Sequence, residues 1–555
     1  MTTATASRFL IPVYLLALVL SALALGAFWF DRGRLHVLPD AATSAHKLQC
    51  VSYSPFDADQ SPLVTKYEVR PARIDTDFAL LSQYFSCVRT YSMTGMTELP
   101  AIAEKYGLKV MLGAWVNADA SATRLELEQL IAAANRYPNV VESVVVGNET
   151  LLRKEITGKR LAQLVNEVKS RIRQPVTYAD VWEFWLRHPE VAPAVDFITI
   201  HLLPYWEDQP TGIDRALEHV ADVREQFGRR FAPKDILIGE TGWPSEGRQR
   251  ETAVPSRLNQ ARFIRDFVAM AEHNGWRYNL IEAFDQPWKR NNEGAVGGYW
   301  GLFDAQRVDK HILAGPVSNV PDWAGWLQLS AGLALLVLLF AGRPRNLRAA
   351  LLLPALAVLG GACVGVWLSM GAYGNRNAWE WFWSAALAVL NVLVLARGAL
   401  TLAQHRSWRS LWFDWLERRA GLWLLASGFA GAILMLQLVF DPRYREFPSC
   451  ALLVPALVYL AEPVRASRRE LILLALIVAA GIPAQLAREG VTNIQAWGWA
   501  FVSTLLALAL WRGIKAGAAD VHRGLSEHGD RVPVHPESIE APGSKAHASA
   551  DTAAV

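Results

Sequence analysis

The apolar residues of this chain are unevenly distributed, and that asymmetry constrains its fold more than any other feature. From Trp323 to Trp511 the sequence is mostly long apolar runs separated by short Arg-bearing loops. Residues 41–322 instead carry the charges, helical periodicity and short β-branched runs of a globular domain. A run of about 20 apolar residues matches the hydrocarbon thickness of a bilayer. The chain therefore reads as a soluble domain joined to a membrane domain. Its 52% hydrophobic fraction, with 22 Trp among 555 residues, is high for a soluble protein and low for a pure transporter.

The first apolar run, residues 9–30, is long enough to span. A cleavable signal peptide and an uncleaved anchor both fit it, and the aromatic end (Phe28, Trp29, Phe30) favours the anchor. Seven later runs are expected at 323–341, 349–371, 379–396, 421–440, 449–462, 470–487 and 494–511. The fifth is short and carries Pro455. Loops assigned alternately to two sides divide the positive charge unequally. One side receives Arg343, Arg345, Arg348, Arg397, Arg406, Arg409, Arg418, Arg419, Arg465, Arg468 and Arg469, with Arg512 and Lys515 following. The other receives Arg376, Arg443, Arg445 and Arg488. The richer side is expected in the cytoplasm, which places the globular domain on the outer, periplasmic face of a bacterial inner membrane. Asn391 and Gln437 are isolated polar positions that helix packing explains more simply than a pore. The expected domains are an anchor and linker over 1–44, a soluble domain over 45–315, a membrane domain over 323–515 and a disordered cytoplasmic tail over 516–555.

A net charge of +3 gives no basic face of the kind nucleic acid requires. The four cysteines show no metal spacing. Cys363 and Cys450 read as packing residues. Cys50 and Cys87 open two neighbouring strands, where a disulfide and a pair of buried thiols are both consistent with the sequence.

Between Leu48 and Phe303, short β-rich runs alternate with amphipathic helical stretches. Strands are expected at 50–55, 87–92, 109–116, 141–149, 175–180, 196–202, 235–241 and 278–285. Eight strands with seven intervening connections match a (β/α)₈ TIM barrel, an α/β fold. A doubly wound sheet is the alternative, but no glycine-rich phosphate loop opens a helix here. In such a barrel the site forms at the C-terminal strand ends. The fourth strand ends VVVGNET and the seventh ILIGETGWPS, so Glu149 and Glu240 are expected to face each other across the barrel mouth.

Glycosidic cleavage needs one carboxyl to protonate the leaving oxygen and another to attack the anomeric carbon. Asn148 is placed to bond a sugar 2-hydroxyl. Aromatic residues at or near other strand ends suit pyranose faces: Tyr53, Tyr91, Trp115, Trp182, Tyr205, Trp206, Trp243, Phe284 and Trp288. Arg89, Asp285 and Lys289 are candidates for bonding hydroxyls. A glutamate at a strand end is often simply solvated or ion-paired; two at these two strands are less easily chance.

Taken in order, VRTY (88–91), GNE (147–149), GETGWPS (239–245), AFDQPWK (283–289) and YWGLFD (299–304) resemble glycoside hydrolase family 17, the β-1,3-glucanases and related glucanosyltransferases. The resemblance covers residues 48–304. It implies a retaining mechanism with Glu149 as general acid/base, Glu240 as nucleophile and no metal or organic cofactor. Gln286 departs from the family pattern, standing where related sequences often carry Glu. The loops are short compared with plant enzymes. The C-terminal membrane domain is similar in architecture to proteobacterial members linked to periplasmic β-glucan synthesis.

The expected function is a membrane-anchored β-glucan transglycosylase that elongates, branches or cyclises β-1,3/β-1,6-glucans. An endo- or exo-β-1,3-glucanase is the second reading. A transport or assembly protein that merely binds glucan is a third, and the intact carboxylate pair argues against it. No cytoplasmic segment is large enough for a sugar-nucleotide site, and 397–420 holds no DxD motif, so a separate synthase is the expected source of the chain.

Overall fold

The β-branched runs of the first half cannot satisfy their backbone groups singly, and they pair with one another in parallel. In the computed structural model, eight strands close into a barrel in sequence order. The structure describes residues 3–41, 47–63, 68–403, 409–441 and 445–529. The strands are β1 (Leu48–Ser52), β2 (Phe85–Arg89), β3 (Lys109–Ala114), β4 (Val141–Asn148), β5 (Val176–Val181), β6 (Ile198–Leu202), β7 (Ile236–Thr241) and β8 (Arg277–Leu280). Every expected strand is present. β1 and β2 begin two residues earlier than expected and stop sooner, because their last residues turn into the barrel mouth.

Helix α1 (Thr3–Gly33) precedes the barrel, and α2 (Pro71–Leu81), α3 (Leu99–Lys105), α4 (Ala120–Arg136), α5 (Gly158–Lys169), α6 (Trp182–Arg187), α7 (Ile213–Arg230) and α8 (Arg257–His273) join successive strands. Asp119, Thr157 and Ser256 cap α4, α5 and α8 through side-chain acceptors. Side chains alternate across each strand. Val51, Val88 and Val144 join the layer between strands and helices. Cys50, Cys87, Met111, Val145, Ala179 and Leu237 form a separate cluster inside the barrel. Cys50 and Cys87 are partners in register, with Cα atoms 4.3 Å apart, and form a disulfide.

Beyond the short α9 (Arg290–Glu293), the second half is helical: α10 (Trp323–Ala341), α11 (Leu347–Gly374), α12 (Ala378–Ala403), α13 (Arg409–Arg418), α14 (Ala420–Phe440), α15 (Ser449–Ala461), α16 (Arg468–Glu489) and α17 (Ile494–Gly529). Among the described residues, seven helices are long and apolar enough to cross a membrane: residues 10–33 and six of those in the second half. The run at 449–462 forms a helix of 13 residues, shorter than a span. α17 continues to Gly529, into the segment expected as a tail; the rest of that expectation, residues 530–555, lies outside the described residues.

α1 packs into this bundle. Trp29 is fully buried and donates to Ser330 Oγ at 3.2 Å, and Gly33 lets the helix pass where a Cβ would sit 1.9 Å from Trp323. The two crossings between barrel and bundle pair through His36 and Val317. Arg265 of α8 locks them, donating to the carbonyls of Leu38, Pro39, His311, Ile312 and Gly315 at 2.7–3.3 Å. The loops after β7 and β8 dock on the bundle. Arg248 ion-pairs with Glu489 in a buried setting, Gln249 bonds Gln495 at 2.9 Å, and Arg290 donates to the carbonyls of Tyr373 and Asn375 at 3.0 and 3.2 Å.

Candidate active site

Three strand pairs shift register near their C-terminal ends: between Val145 and Asn148, between Ile200 and His201, and between Ile238 and Thr241. Such irregularities re-aim side chains, and here they turn Asn148, His201 and Glu240 toward the barrel axis. Gly147 takes φ +86°, and a Cβ there would lie 2.7 Å from Thr150 Oγ1. Glu149 itself has φ +52°, a left-handed conformation costing about 1–3 kcal/mol for a non-glycine residue. Gly239 has no room for a side chain, since its Cβ would meet Thr199 Cγ2 at 2.3 Å. The glycines of GNE and GET thus permit the turn and the close approach that deliver the two glutamates.

The two carboxylates converge. One oxygen of Glu149, one of Glu240 and a ring nitrogen of His201 all lie within 4.8 Å of one another. Arg89, wholly buried in the barrel, organises the group. Its Nη1 donates to Gly239 O at 2.5 Å and to Glu240 Oε1 at 3.2 Å, and its Nη2 donates to Asn148 Oδ1 at 2.6 Å. Tyr91 Oη donates to Glu240 Oε1 at 2.9 Å and contacts Ser52 Oγ at 2.6 Å. Asn279 bridges Ser52 Oγ and Gly239 O, both at 2.8 Å. His201 lies between the carboxylates, with Nδ1 2.9 Å from Glu149 Oε1 and Nε2 3.4 Å from Glu240 Oε1. Nε2 also faces both Arg89 Nη atoms at 3.4 Å. Those are donors, so the ring proton belongs on Nδ1, where it is given to Glu149.

Burial pushes the Glu149 carboxyl up, but the His201 hydrogen bond, with the charges of Arg153 and Arg89, outweighs it and holds the group below the usual range. Behind it, burial raises Asp180 to about 6, opposed by the Tyr178 hydroxyl and assisted by the Glu149 charge. Glu282 is raised by burial to about 7, against its partner Lys289, whose Nζ lies 2.7 Å from Glu282 Oε1.

The other expected site residues divide. Arg89, Tyr91 and Asn148 join the carboxylates. Lys289 stands near them, since the Glu240 charge acts on it. Trp288 is half-buried and is held by Gln286 Oε1 at 2.8 Å, which gives Gln286 a structural use. Four expected sugar contacts are corrected. Tyr205, Trp243 and Phe284 are buried at 0–1% exposure, because they pack the core against Trp300, Phe263 and Phe303. Asp285 is consumed by Lys310 at 3.0 Å and by Gly301 N at 2.8 Å. Tyr53, also named as an aromatic of the mouth, is core and donates to Asp77 at 3.0 Å. His201, Asn279 and Glu282 were missed. The strand-end rule that found Glu149 would have found His201 and Glu282 had it been applied to β6 and β8.

The family model for the BtgE/BtgC glycoside hydrolase domain matches residues 50–301. That span includes all eight strand cores and both glutamate motifs. The barrel is similar to this glycoside hydrolase family from its first strand to the segment after its last. It is therefore a glycosidase or transglycosylase domain. The barrel is 29% identical over 260 residues to a glucan 1,3-beta-glucosidase of Schizosaccharomyces pombe, covering 43% of this chain and 79% of that one. It is 26% identical over 269 residues to a glucan 1,3-beta-glucosidase of Saccharomyces cerevisiae, covering 43% and 84%. A solved family 17 beta-1,3-glucanosyltransferase from Rhizomucor miehei is 24% identical, covering 48% of this chain and 97% of that one, with a TM-score of 0.42. The helices from Trp323 onward lie outside the family match.

Proposed function

We propose that this family 17 barrel is a retaining β-1,3-glucan-active enzyme in which Glu149 is the acid/base and Glu240 the nucleophile. The observation that carries the reading is the close approach of the two carboxylates, within 4.8 Å. It corresponds to the roughly 5–5.5 Å of retaining enzymes rather than the wider gap that leaves room for water. Arg89 and Tyr91 both donate to Glu240 Oε1. They hold Oε1 in place and leave Oε2 for the anomeric carbon. Oε2 attacks that carbon while Glu149 gives its proton to the departing oxygen, so one C–O bond breaks and a glycosyl ester forms on Glu240. Glu149, now a carboxylate, takes a proton from the incoming hydroxyl, which attacks the same carbon and frees Glu240. For the first step Glu149 must carry a proton, and entry of the sugar displaces the His201 contact that holds it ionised. Asn148, its Oδ1 occupied by Arg89, turns its amide N–H groups toward the 2-hydroxyl.

The acceptor decides between transfer and hydrolysis. Half-buried Tyr91, Trp115 and Trp288 offer aromatic faces for an acceptor sugar, and a glucanosyltransferase stands among the relatives. Transfer is therefore the first reading, elongating, branching or cyclising β-1,3/β-1,6-glucan supplied by a separate synthase. The glucosidase relatives favour hydrolysis as the second. The apolar helices anchor the barrel to a bacterial inner membrane. The loop charges of the sequence and the Cys50–Cys87 disulfide, a bond of oxidising compartments, support the periplasmic side. Incubating the full chain with laminari-oligosaccharides and resolving products by mass tests the proposal. Products longer than the substrate are expected, only shorter ones favour hydrolysis, and turnover that survives Glu240→Gln overturns the assignment.

A further inference from the structure

A cavity of about 400 Å³ lies between the barrel's post-β8 loop and helices α11, α12 and α14, within the 300–1,000 Å³ of small-molecule sites. Its walls combine aromatic faces and neutral polar groups with aliphatic side chains such as Ile433, Leu434 and Leu438. Trp367 and Trp383 line it beside Asn375, Ser384 and Gln437. The Trp367 ring is fixed by a bond from Nε1 to Ser384 O at 2.9 Å. Asn375 is held through Oδ1 by the Ser384 hydroxyl at 3.1 Å. Its Nδ2 is buried without a hydrogen-bond partner among the described residues, a costly state that a ligand acceptor relieves.

Acidic residues stand beside the basic ones on the wall. Arg376 is engaged by Glu380, at 2.9 Å from Nε to Oε1, and Arg445 and Glu446 complete two basic and two acidic residues. A phosphate group would meet the Glu380 carboxylate that already engages Arg376. Rigid indole faces, oriented amides and a paired Arg376 instead suit a neutral polyhydroxyl ring. The chain segment after β8 also links the catalytic mouth to the cavity wall. Lys289 bonds Glu282 at 2.7 Å, Arg290 bonds the carbonyls of Tyr373 and Asn375, and Gly294 and Ala295 line the cavity itself.

We propose that this cavity is a second glucose-oligomer site, formed jointly by the barrel and the apolar helices, which holds the distal part of a glucan chain engaged at Glu149 and Glu240. The proposal rests on the reading of the barrel as glucan-active. Its test uses the full-length Glu240→Gln chain in a detergent without a sugar headgroup, titrated with laminari-oligosaccharides of three and of about ten units. Affinity should rise at least tenfold with length, and Asn375→Leu and Gln437→Leu, both close to isosteric, should each remove most of that gain. A gain that persists in both variants, or no gain in the parent, overturns the second site. Retention of a phospholipid in native mass spectrometry that either variant abolishes, with no length gain, assigns the cavity to a lipid headgroup and also overturns it. Turnover of the three-unit oligosaccharide by the unsubstituted chain is measured in parallel. If it is present while the length gain is absent, the second site alone fails; if no oligosaccharide is bound or turned over, both readings fail.

Discussion

Arg89 shows how much of this site depends on a single side chain. A guanidinium with no exposure is costly unless its donors are used, and its two terminal nitrogens reach Gly239, Glu240 and Asn148. Arg89→Met should lower kcat/KM by about 100-fold or more, on the scale of losing a preorganised charge-assisted donor, while the fold persists by circular dichroism. An activity loss below about threefold would contradict that role. His201 affects pH dependence. Its Nδ1–H bond helps hold Glu149 below the usual carboxyl range, so losing it raises the Glu149 pKa. In His201→Ala the alkaline limb of the kcat/KM profile, where the acid loses its proton, should move to higher pH. A limb that stays in place would show that His201 does not govern Glu149.

At the scale of elements, the barrel was readable because each strand is a β-branched run bounded by helical periodicity, and the two glutamates because they end such runs. The aromatic residues were not resolved in the same way. Tyr205 and Trp288 carry the same sequence signal, yet one packs beneath Trp300 and the other remains half-exposed. Burial depends on how neighbouring loops fold back, which strand periodicity does not encode. Nor did the sequence reveal that the catalytic-face loops would dock on the helices, because those contacts join residues some 240 positions apart. The crossings that permit this docking depend on Arg265. Removing its five carbonyl bonds in Arg265→Met should destabilise the chain by roughly 2–4 kcal/mol, read as a fall in the thermal midpoint. An unchanged midpoint would mean the crossings hold without it.

On the scale of the whole molecule, the junction between barrel and bundle carries a pH signature. Burial raises Glu446 to about 7, opposed by Arg248 and assisted by Glu246, and burial raises Glu246 to about 7 as well. A carboxyl with a raised folded-state pKa contributes stability that is complete below its unfolded pKa and lost as pH rises toward 7. The full chain in detergent should therefore have a higher thermal midpoint at pH 5 than at pH 8, and Glu446→Gln should flatten that difference. An equally steep pH dependence in the variant would remove Glu446 from the account.

The proposed division of labour between two glutamates, delivered by β4 and β7, is tested most directly by a trapped intermediate. The full chain is treated with a 2-deoxy-2-fluoro laminaribiosyl fluoride, which slows release of a glycosyl ester, and its peptides are then mapped by mass. One added glycosyl group is expected on Glu240, absent in Glu240→Gln. A group found on Glu149 or Glu282, or turnover with no ester at any carboxylate, would contradict it.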